Sequence, residues 1–155
     1  KVGNRMFPNL MVISNCLTDV CLCEVPEVGT GKEVAEQLRK RLPEEAFSDP
    51  QVFAETLKFE YHVRPIGSPG SEVQAVLVPM LKGGFRVVVN QHKNCNIPET
   101  LWLLGHEFGH TLFYSAGSPP TRVIPCSSAE EKFCDAIADE LFGQIRFSVP
   151  EPYNL

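Results

Sequence analysis

Two histidines and a glutamate in residues 105–110, which read G-H-E-F-G-H, have the spacing of a metal site. On an α-helix, residues four apart lie on one face, so the imidazoles of His106 and His110 can bind a single ion. Glu107 lies between them, where its carboxylate can take a proton from a water molecule on that ion. The chain contains only four histidines, so this pair predicts zinc binding. The bare five-residue pattern also occurs on helices that bind no metal.

The surrounding residues predict the helix that this spacing requires. Asn96 can cap its N-terminus, with Glu99 at the spacing of a capping box and Pro98 in the first turn. Apolar residues then recur at helical spacing and predict one buried stripe, namely Leu101, Leu104, Phe108 and Leu112. The two histidines project beside this stripe, so the ion is expected at the edge of a core. Gly109 costs roughly 1 kcal/mol relative to alanine in a helix, and we expect it to let a neighbouring strand or substrate approach closely.

A third ligand is needed, because catalytic zinc usually has three protein ligands and keeps a fourth position for water. The metzincin pattern requires glycine at position 113 and histidine at position 116. This chain has Phe113 and Ala116 there, so that class is excluded. The remaining source is a carboxylate from the next predicted helix, which extends to about Phe142.

That second helix begins near Ser127 or Ser128 and carries three acidic residues in its first two turns. Glu131 could bind the ion, while Asp135, one turn later on the same face, accepts a hydrogen bond from a ligand histidine. A competing interpretation makes Glu130 or Glu131 part of a capping box that begins at one of the serines. Two acidic residues near a helix N-terminus also suit the helix dipole without any metal.

The two helices together resemble the ImmA/IrrE metallopeptidases, a compact gluzincin group. Residues 103–114 read L-L-G-H-E-F-G-H-T-L-F-Y, and residues 130–141 read E-E-K-F-C-D-A-I-A-D-E-L. The family shows H-E-x-x-H followed by E-x-x-C/A-N/D and an apolar-alanine pair. The positions that match the second part are Glu131, Cys134, Asp135, Ile137 and Ala138. A short strand ending in asparagine before the first helix, here at Asn90, also recurs in the family.

The resemblance covers about residues 73–142 and implies a zinc peptidase with Glu131 as the third ligand. It also implies a protein substrate, often a transcriptional repressor. The family often ends its second helix with Leu-Leu-x-Pro, whereas this chain has L-F-G at residues 141–143. Residues 1–72 show no match, so the DNA-binding-like extensions of the family are not supported.

The predicted function is therefore that of a zinc-dependent metallo-endopeptidase. His106, His110 and Glu131 would hold Zn²⁺, with Mn²⁺ or another divalent ion as the alternative. Glu107 would be the general base that moves the proton from water to the leaving amine. A non-catalytic domain that keeps zinc to hold two helices together is the main alternative, although a structural site does not need a base such as Glu107.

The sequence does not decide which residue donates to the oxyanion or whether the ion has a fourth protein ligand. A second donor to the oxyanion is usual in acyl transfer, and Tyr114, one turn past His110, is the first candidate, with Tyr61 and His62 as others. In a self-inhibited version of the site, Cys126 from the loop between the helices would be a fourth zinc ligand.

Composition limits the class of protein. The 155 residues suit one domain, with residues 73–142 as the metal-site core and residues 1–72 as a scaffold part. A net charge of −5 argues against direct nucleic-acid binding, and no apolar run is long enough for a membrane span. Cysteines make up about 4% of the chain, well below the density of a disulfide scaffold. We therefore expect reduced thiols and a cytoplasmic protein, with a secreted, disulfide-bonded zinc peptidase as the alternative.

The remaining pattern predicts an α+β fold, in which a small antiparallel or mixed sheet packs on a zincin-like pair of metal-binding helices. One or two further helices are expected near the N-terminus, at residues 32–42 and 50–57, after a loop that contains Gly29 and Gly31. Strands are predicted at 59–63, 73–80 and 85–89, the last two joined by a hairpin turn at Gly83 and Gly84. A short strand at 10–13 and an extended segment at 148–155 complete the prediction.

Overall fold

The computed structural model describes residues 21–143. Over this range the chain forms four α-helices, a three-stranded sheet and a two-stranded sheet, which confirms the α+β class. The expected strand at 10–13 and the extended segment at 148–155 lie outside the described residues. None of the helices between residues 21 and 143 combines the length and the apolar character that crossing a bilayer requires.

Along the chain, two helices precede the three strands of the larger sheet, and two short strands separate the last two helices. The helices are α1 (Val28–Arg41), α2 (Pro50–Thr56), α3 (Ile97–Thr111) and α4 (Ser128–Phe142). The strands are β1 (Glu60–Arg64), β2 (Ala75–Pro79), β3 (Phe85–Asn90), β4 (Tyr114–Ser115) and β5 (Thr121–Arg122). Short 3₁₀ turns cover Glu44–Phe47 and Gln91–Lys93.

The three-stranded sheet is mixed and has the order β1-β3-β2. Strands β2 and β3 form the predicted antiparallel hairpin. Its turn needs glycine, because Gly83 and Gly84 have φ values of 101° and 78°, which residues with a side chain rarely adopt. Strand β1 pairs with β3 in parallel. The central strand β3 contributes Val87 and Val89 to the core.

Helix α1 begins earlier than its sequence predicts. The prediction of a loop that contains Gly29 and Gly31 is wrong, because both residues lie in the first turn of α1. Gly31 is buried against α4, where an added Cβ would lie only 2.8 Å from the carbonyl oxygen of Phe133 and 3.1 Å from Cβ of Ala136. Close packing of α1 on α4 therefore outweighs the low helix propensity of glycine.

Helix α3 forms as predicted, with a complete capping box. The Asn96 side chain accepts a hydrogen bond from the Glu99 backbone N–H, and the Glu99 carboxylate accepts one from the Asn96 N–H. The predicted apolar stripe of α3 is at least 97% buried and faces the core. His106 and His110 are each 8% exposed at the margin of that core, so the helix holds both imidazoles where water is largely excluded.

Candidate metal centre

The site lies between α3 and α4, which run antiparallel and touch closely. Contacts pair Trp102 with Asp139, His106 with Asp135 and His110 with Glu130, so the partners follow in opposite order along the two helices. The sequence predicts a strand or a substrate as the close neighbour of Gly109. That neighbour is instead α4.

The close approach at Gly109 has a steric cause. A Cβ on Gly109 would lie 2.8 Å from Sγ of Cys134, 3.1 Å from its Cβ and 3.2 Å from its Cα. Only glycine leaves room for α4 at this distance. The spacing matters for the site, because Glu131 lies about one helical turn before Cys134 on α4 and must reach both histidines of α3.

Three donor groups converge at one point between the helices. Nε2 of His106 lies 3.1 Å from Nε2 of His110. The Glu131 carboxylate spans the pair, with Oε1 at 3.1 Å from His106 Nε2 and Oε2 at 3.1 Å from His110 Nε2. Ligands at 2.0–2.1 Å from a tetrahedral zinc ion are separated by roughly 3.4 Å. The spacing of the three donors therefore fits one face of a zinc coordination sphere.

Glu107 lies beside this triangle. Its carboxylate belongs to a group with His106 and His110 whose donor atoms all lie within 4.8 Å of one another. Burial raises the pKa of Glu107, and the two histidines oppose that shift. A glutamate with a raised pKa is a stronger proton acceptor in its ionised form, which is the property that a general base needs.

The ring nitrogens on the far side of both histidines face carboxylates. Oδ1 of Asp135 lies 2.8 Å from His106 Nδ1, although outside the angular range of an N–H···O hydrogen bond. Oε2 of Glu130 accepts a hydrogen bond from His110 Nδ1 at 2.6 Å. Carboxylates in these positions fix the tautomer of a ligand histidine, so that Nε2 is left to bind the ion. The pairing predicted for Asp135 is thus present as a close contact.

Glu130 has a role that its sequence position does not reveal. Its side chain is fully buried, and both of its carboxylate oxygens bind the guanidinium of Arg122, with Nη1 at 2.7 Å from Oε2. Ser127 does cap α4, since its hydroxyl accepts a hydrogen bond from the Glu130 N–H at 3.2 Å. The Glu130 carboxylate, however, binds His110 and Arg122, so the capping-box interpretation does not describe this glutamate.

The charges around the imidazoles create a strongly negative environment. Burial lowers the pKa of His106, but Asp135 and Glu131 outweigh it and raise the pKa to about 10. Burial lowers the pKa of His110 in the same way, and Glu130 and Glu131 raise it to about 10. Burial raises the pKa of Glu131, but the two histidines reverse this shift and lower it. Such a site favours bound positive charge, either as protons on the histidines or as a metal ion.

Trp102 is a further component of the site that the sequence did not indicate. Its ring stacks on His106, with centroids 5.3 Å apart and planes at 17°. The indole N–H donates a hydrogen bond to Oδ1 of Asp139 at 2.8 Å. Trp102 lies four residues before His106, so the i, i+4 spacing was the available signal. This packing restricts the rotation of the imidazole.

The three candidates for an oxyanion donor have other contacts. The ring of Tyr114 packs edge-on against the ring of Phe85. The guanidinium of Arg122 lies over the Tyr114 ring, with Cζ 5.2 Å from the ring centroid. Tyr61 is partly buried against the core. His62 interacts with the Glu60 carboxylate at 3.1 Å. A role for any of them in the chemistry stays a prediction.

Two further groups of donor atoms share His110 within the described residues. One contains Glu130 and Cys134. Burial raises the pKa of the Cys134 thiol well above its ordinary value, and Glu130 is already neutralised by Arg122. Glu130 and Cys134 are therefore better suited to holding His110 in place within the core than to binding a metal ion. The other group contains Cys126 and Glu131.

Comparison with models of known protein families, with curated proteins and with solved structures finds nothing that matches this chain.

Proposed function

We propose that this protein is a zinc-dependent metallo-endopeptidase. The observation that carries the proposal is the convergence of His106 Nε2, His110 Nε2 and the Glu131 carboxylate at 3.1 Å from one another. Glu107 lies beside them with a raised pKa. A metal-binding group with a partly buried base next to it supports hydrolysis, because a purely structural site has no use for the base.

The donor set favours zinc over harder cations. Two imidazoles and one carboxylate form the ligand set of several catalytic zinc sites. Magnesium and calcium prefer oxygen ligands throughout, and imidazole suits zinc and the later transition metals. Mn²⁺ or another divalent ion is the alternative for the same residues. Asp135 and Glu130 would support whichever ion binds, because each faces the far nitrogen of a ligand histidine.

In this proposal three side chains bind the ion, and Glu107 transfers the proton. Zinc, when bound, would lower the pKa of a water molecule toward ~7 and stabilise negative charge on a carbonyl oxygen. Glu107 would accept the proton of the attacking water and pass it to the leaving amine. Partial burial raises the pKa of Glu107 in the metal-free protein, which makes its ionised form a better proton acceptor. Tyr114 is kept as the first candidate for a donor to the oxyanion.

The substrate class follows from the sequence resemblance alone. The ImmA/IrrE-like pattern in residues 103–141 implies a protein substrate, and a regulatory protein such as a repressor is the type that the family suggests. We infer no direct contact with nucleic acid. We infer a reduced, cytoplasmic setting from the low density of cysteines in the sequence, with a secreted, disulfide-bonded peptidase as the alternative.

Metal analysis of three proteins tests the proposal. After dialysis against metal-free buffer, we expect about one zinc ion per chain in the wild type and in Glu107→Gln, and loss of zinc from Glu131→Gln. The two substitutions make the same chemical change, so each controls for the other. Incubation of the wild type with a library of unstructured peptides, read by mass spectrometry, should show internal cleavage that Glu107→Gln abolishes.

The alternative functions give different results. A non-catalytic zinc domain would retain its metal in Glu107→Gln but would show no cleavage that depends on Glu107. If Glu131→Gln still bound zinc as tightly as the wild type, the proposed ligand set would be wrong. If Glu107→Gln cleaved peptides at the wild-type rate, the proposed base would be wrong.

A further inference from the structure

Cys126 lies at the edge of the proposed zinc site. It follows β5 in the loop between β5 and α4 and immediately precedes Ser127, the N-cap of α4. Its Sγ is 3.5 Å from Oε2 of Glu131. Together with His110, these two residues form a group whose donor atoms all lie within 4.8 Å of one another. Two of the three proposed zinc ligands therefore have a thiol beside them.

The distance between the thiol and Glu131 matches that of two ligands on one ion. Zinc binds thiolate sulfur at about 2.3 Å and carboxylate oxygen at about 2.0–2.2 Å. At the tetrahedral angle, the sulfur and the oxygen are then separated by roughly 3.5–3.7 Å. The observed separation of 3.5 Å means that Sγ could enter the fourth coordination position with little movement of the loop.

Interactions on both sides hold this part of the loop in place. Before Cys126, the Arg122 side chain donates a hydrogen bond from Nε to the Ile124 carbonyl at 2.9 Å. After it, the Ser127 hydroxyl accepts a hydrogen bond from the Glu130 N–H. Arg122 also binds Glu130, which in turn contacts His110. The groups that orient a ligand histidine therefore also position Cys126.

Cys126 differs in this respect from Cys134 and Cys95. Cys134 is fully buried and packs against Gly109. Cys95 precedes α3, at the opposite end of that helix from His110. Cys126 is exposed, so it can leave the site by a movement of the loop without opening the core.

We propose that Cys126, as a thiolate, is the fourth ligand of the zinc ion and keeps most of the peptidase latent, so that only the fraction of molecules with the loop displaced cleaves peptides. On binding zinc the thiol releases its proton to solvent, and the sulfur occupies the position that the attacking water needs. Movement of the loop would break the zinc–sulfur contact and open that position. This inference rests on the proposed function, since it assumes zinc bound by His106, His110 and Glu131.

X-ray absorption at the zinc edge tests the inference independently of activity. In the zinc-loaded full chain, we expect one sulfur neighbour at about 2.3 Å beside the nitrogen and oxygen neighbours. Cys126→Ala should lose the sulfur neighbour and keep one zinc ion per chain. Cys95→Ala is the matched control and should keep both. Cobalt-loaded samples give a second signal, because only thiolate ligation produces strong charge-transfer absorption in the near ultraviolet.

The outcomes separate this inference from the proposed function. Zinc bound by nitrogen and oxygen alone in the wild type would overturn the role of Cys126 and leave the peptidase proposal intact. A sulfur neighbour that persists in Cys126→Ala would also overturn it, since another cysteine would then be the ligand. A wild type that binds no zinc would overturn both. Faster peptide cleavage by Cys126→Ala than by the wild type, together with loss of the sulfur neighbour, would support latency.

Discussion

Replacing Gly109 with alanine should force α3 and α4 apart and weaken the metal site. The added Cβ would meet Sγ of Cys134 at 2.8 Å and its Cα at 3.2 Å. Ordinary contacts of this kind begin at about 3.4 Å, so α4 must shift by about half an ångström. Cys134 is fully buried within the core, so its sulfur cannot turn out into solvent.

The size of the effect follows from two opposing contributions. Alanine is favoured over glycine within a helix by about 1 kcal/mol. Overpacking a tightly packed interior costs about 1–3 kcal/mol, and here the cost should lie at the upper end because the contact involves the α4 backbone. We therefore expect Gly109→Ala to lower the free energy of unfolding by about 1–2 kcal/mol. Its zinc affinity should also fall, since Glu131 moves away from both histidines with α4.

Gly105→Ala provides a matched control on the same helix, one turn earlier. A Cβ on Gly105 would meet Phe142 at 3.2 Å and the Cα of Ala138 at 3.6 Å. Phe142 is the last residue of α4 and is only partly buried, so its ring can yield. We expect Gly105→Ala to be neutral or slightly stabilising. Urea denaturation of the metal-free proteins and competition with a coloured zinc chelator measure the two quantities.

If Gly109→Ala were as stable as Gly105→Ala and bound zinc as tightly as the wild type, close packing at Gly109 would not control the helix spacing. Truncation of the neighbour in Gly109→Ala/Cys134→Ala should restore part of the lost stability, because it removes the 2.8 Å contact. The contact with the α4 backbone remains, so recovery should be incomplete.

Three other predictions concern the charges of the site. Asp135→Asn should weaken zinc binding about 10–100-fold without abolishing it, measured by the same chelator competition; unchanged affinity would mean that Asp135 does not support His106. Arg122→Met should lower the free energy of unfolding by about 3 kcal/mol, because it removes the main partner of the fully buried Glu130; a loss below about 1 kcal/mol in urea denaturation would contradict this. In the metal-free protein, the pKa values of His106 and His110 are raised from 6.5 to about 10. The contribution of these two histidines to the free energy of unfolding is therefore fully present below pH 6.5 and is lost as the pH rises toward 10. Zinc affinity should rise over the same pH interval, because the ion requires deprotonated imidazoles. A stability that stays constant from neutral to alkaline pH would show that the carboxylates do not hold these protons.

Much of the fold could be predicted because its signals are local. The cap at Asn96, the apolar stripe of α3 and the Gly-Gly turn of the hairpin each depend on residues only a few positions apart. The structure confirms all three. The predicted start of α1 was wrong for the opposite reason, since the packing of Gly31 against α4 joins residues about a hundred positions apart and leaves no local signal. The parallel pairing of β1 with β3 likewise joins segments more than twenty residues apart, and no local pattern indicates it.

For the candidate site, the sequence by itself determined that His106 and His110 lie on one helical face with Glu107 directly after the first of them, because residues four apart on a helix project to the same side. It could not decide between the roles of Glu130 and Glu131. Adjacent residues on a helix point about 100° apart, so the roles depend on how α4 is rotated against α3. That rotation is a property of packing over the whole interface. Tertiary structure therefore decided that Glu131 faces both Nε2 atoms and that Glu130 contacts the far side of His110. It also brought Arg122 and Cys126 to the site from the segment between α3 and α4, whose sequence carries no metal-binding pattern.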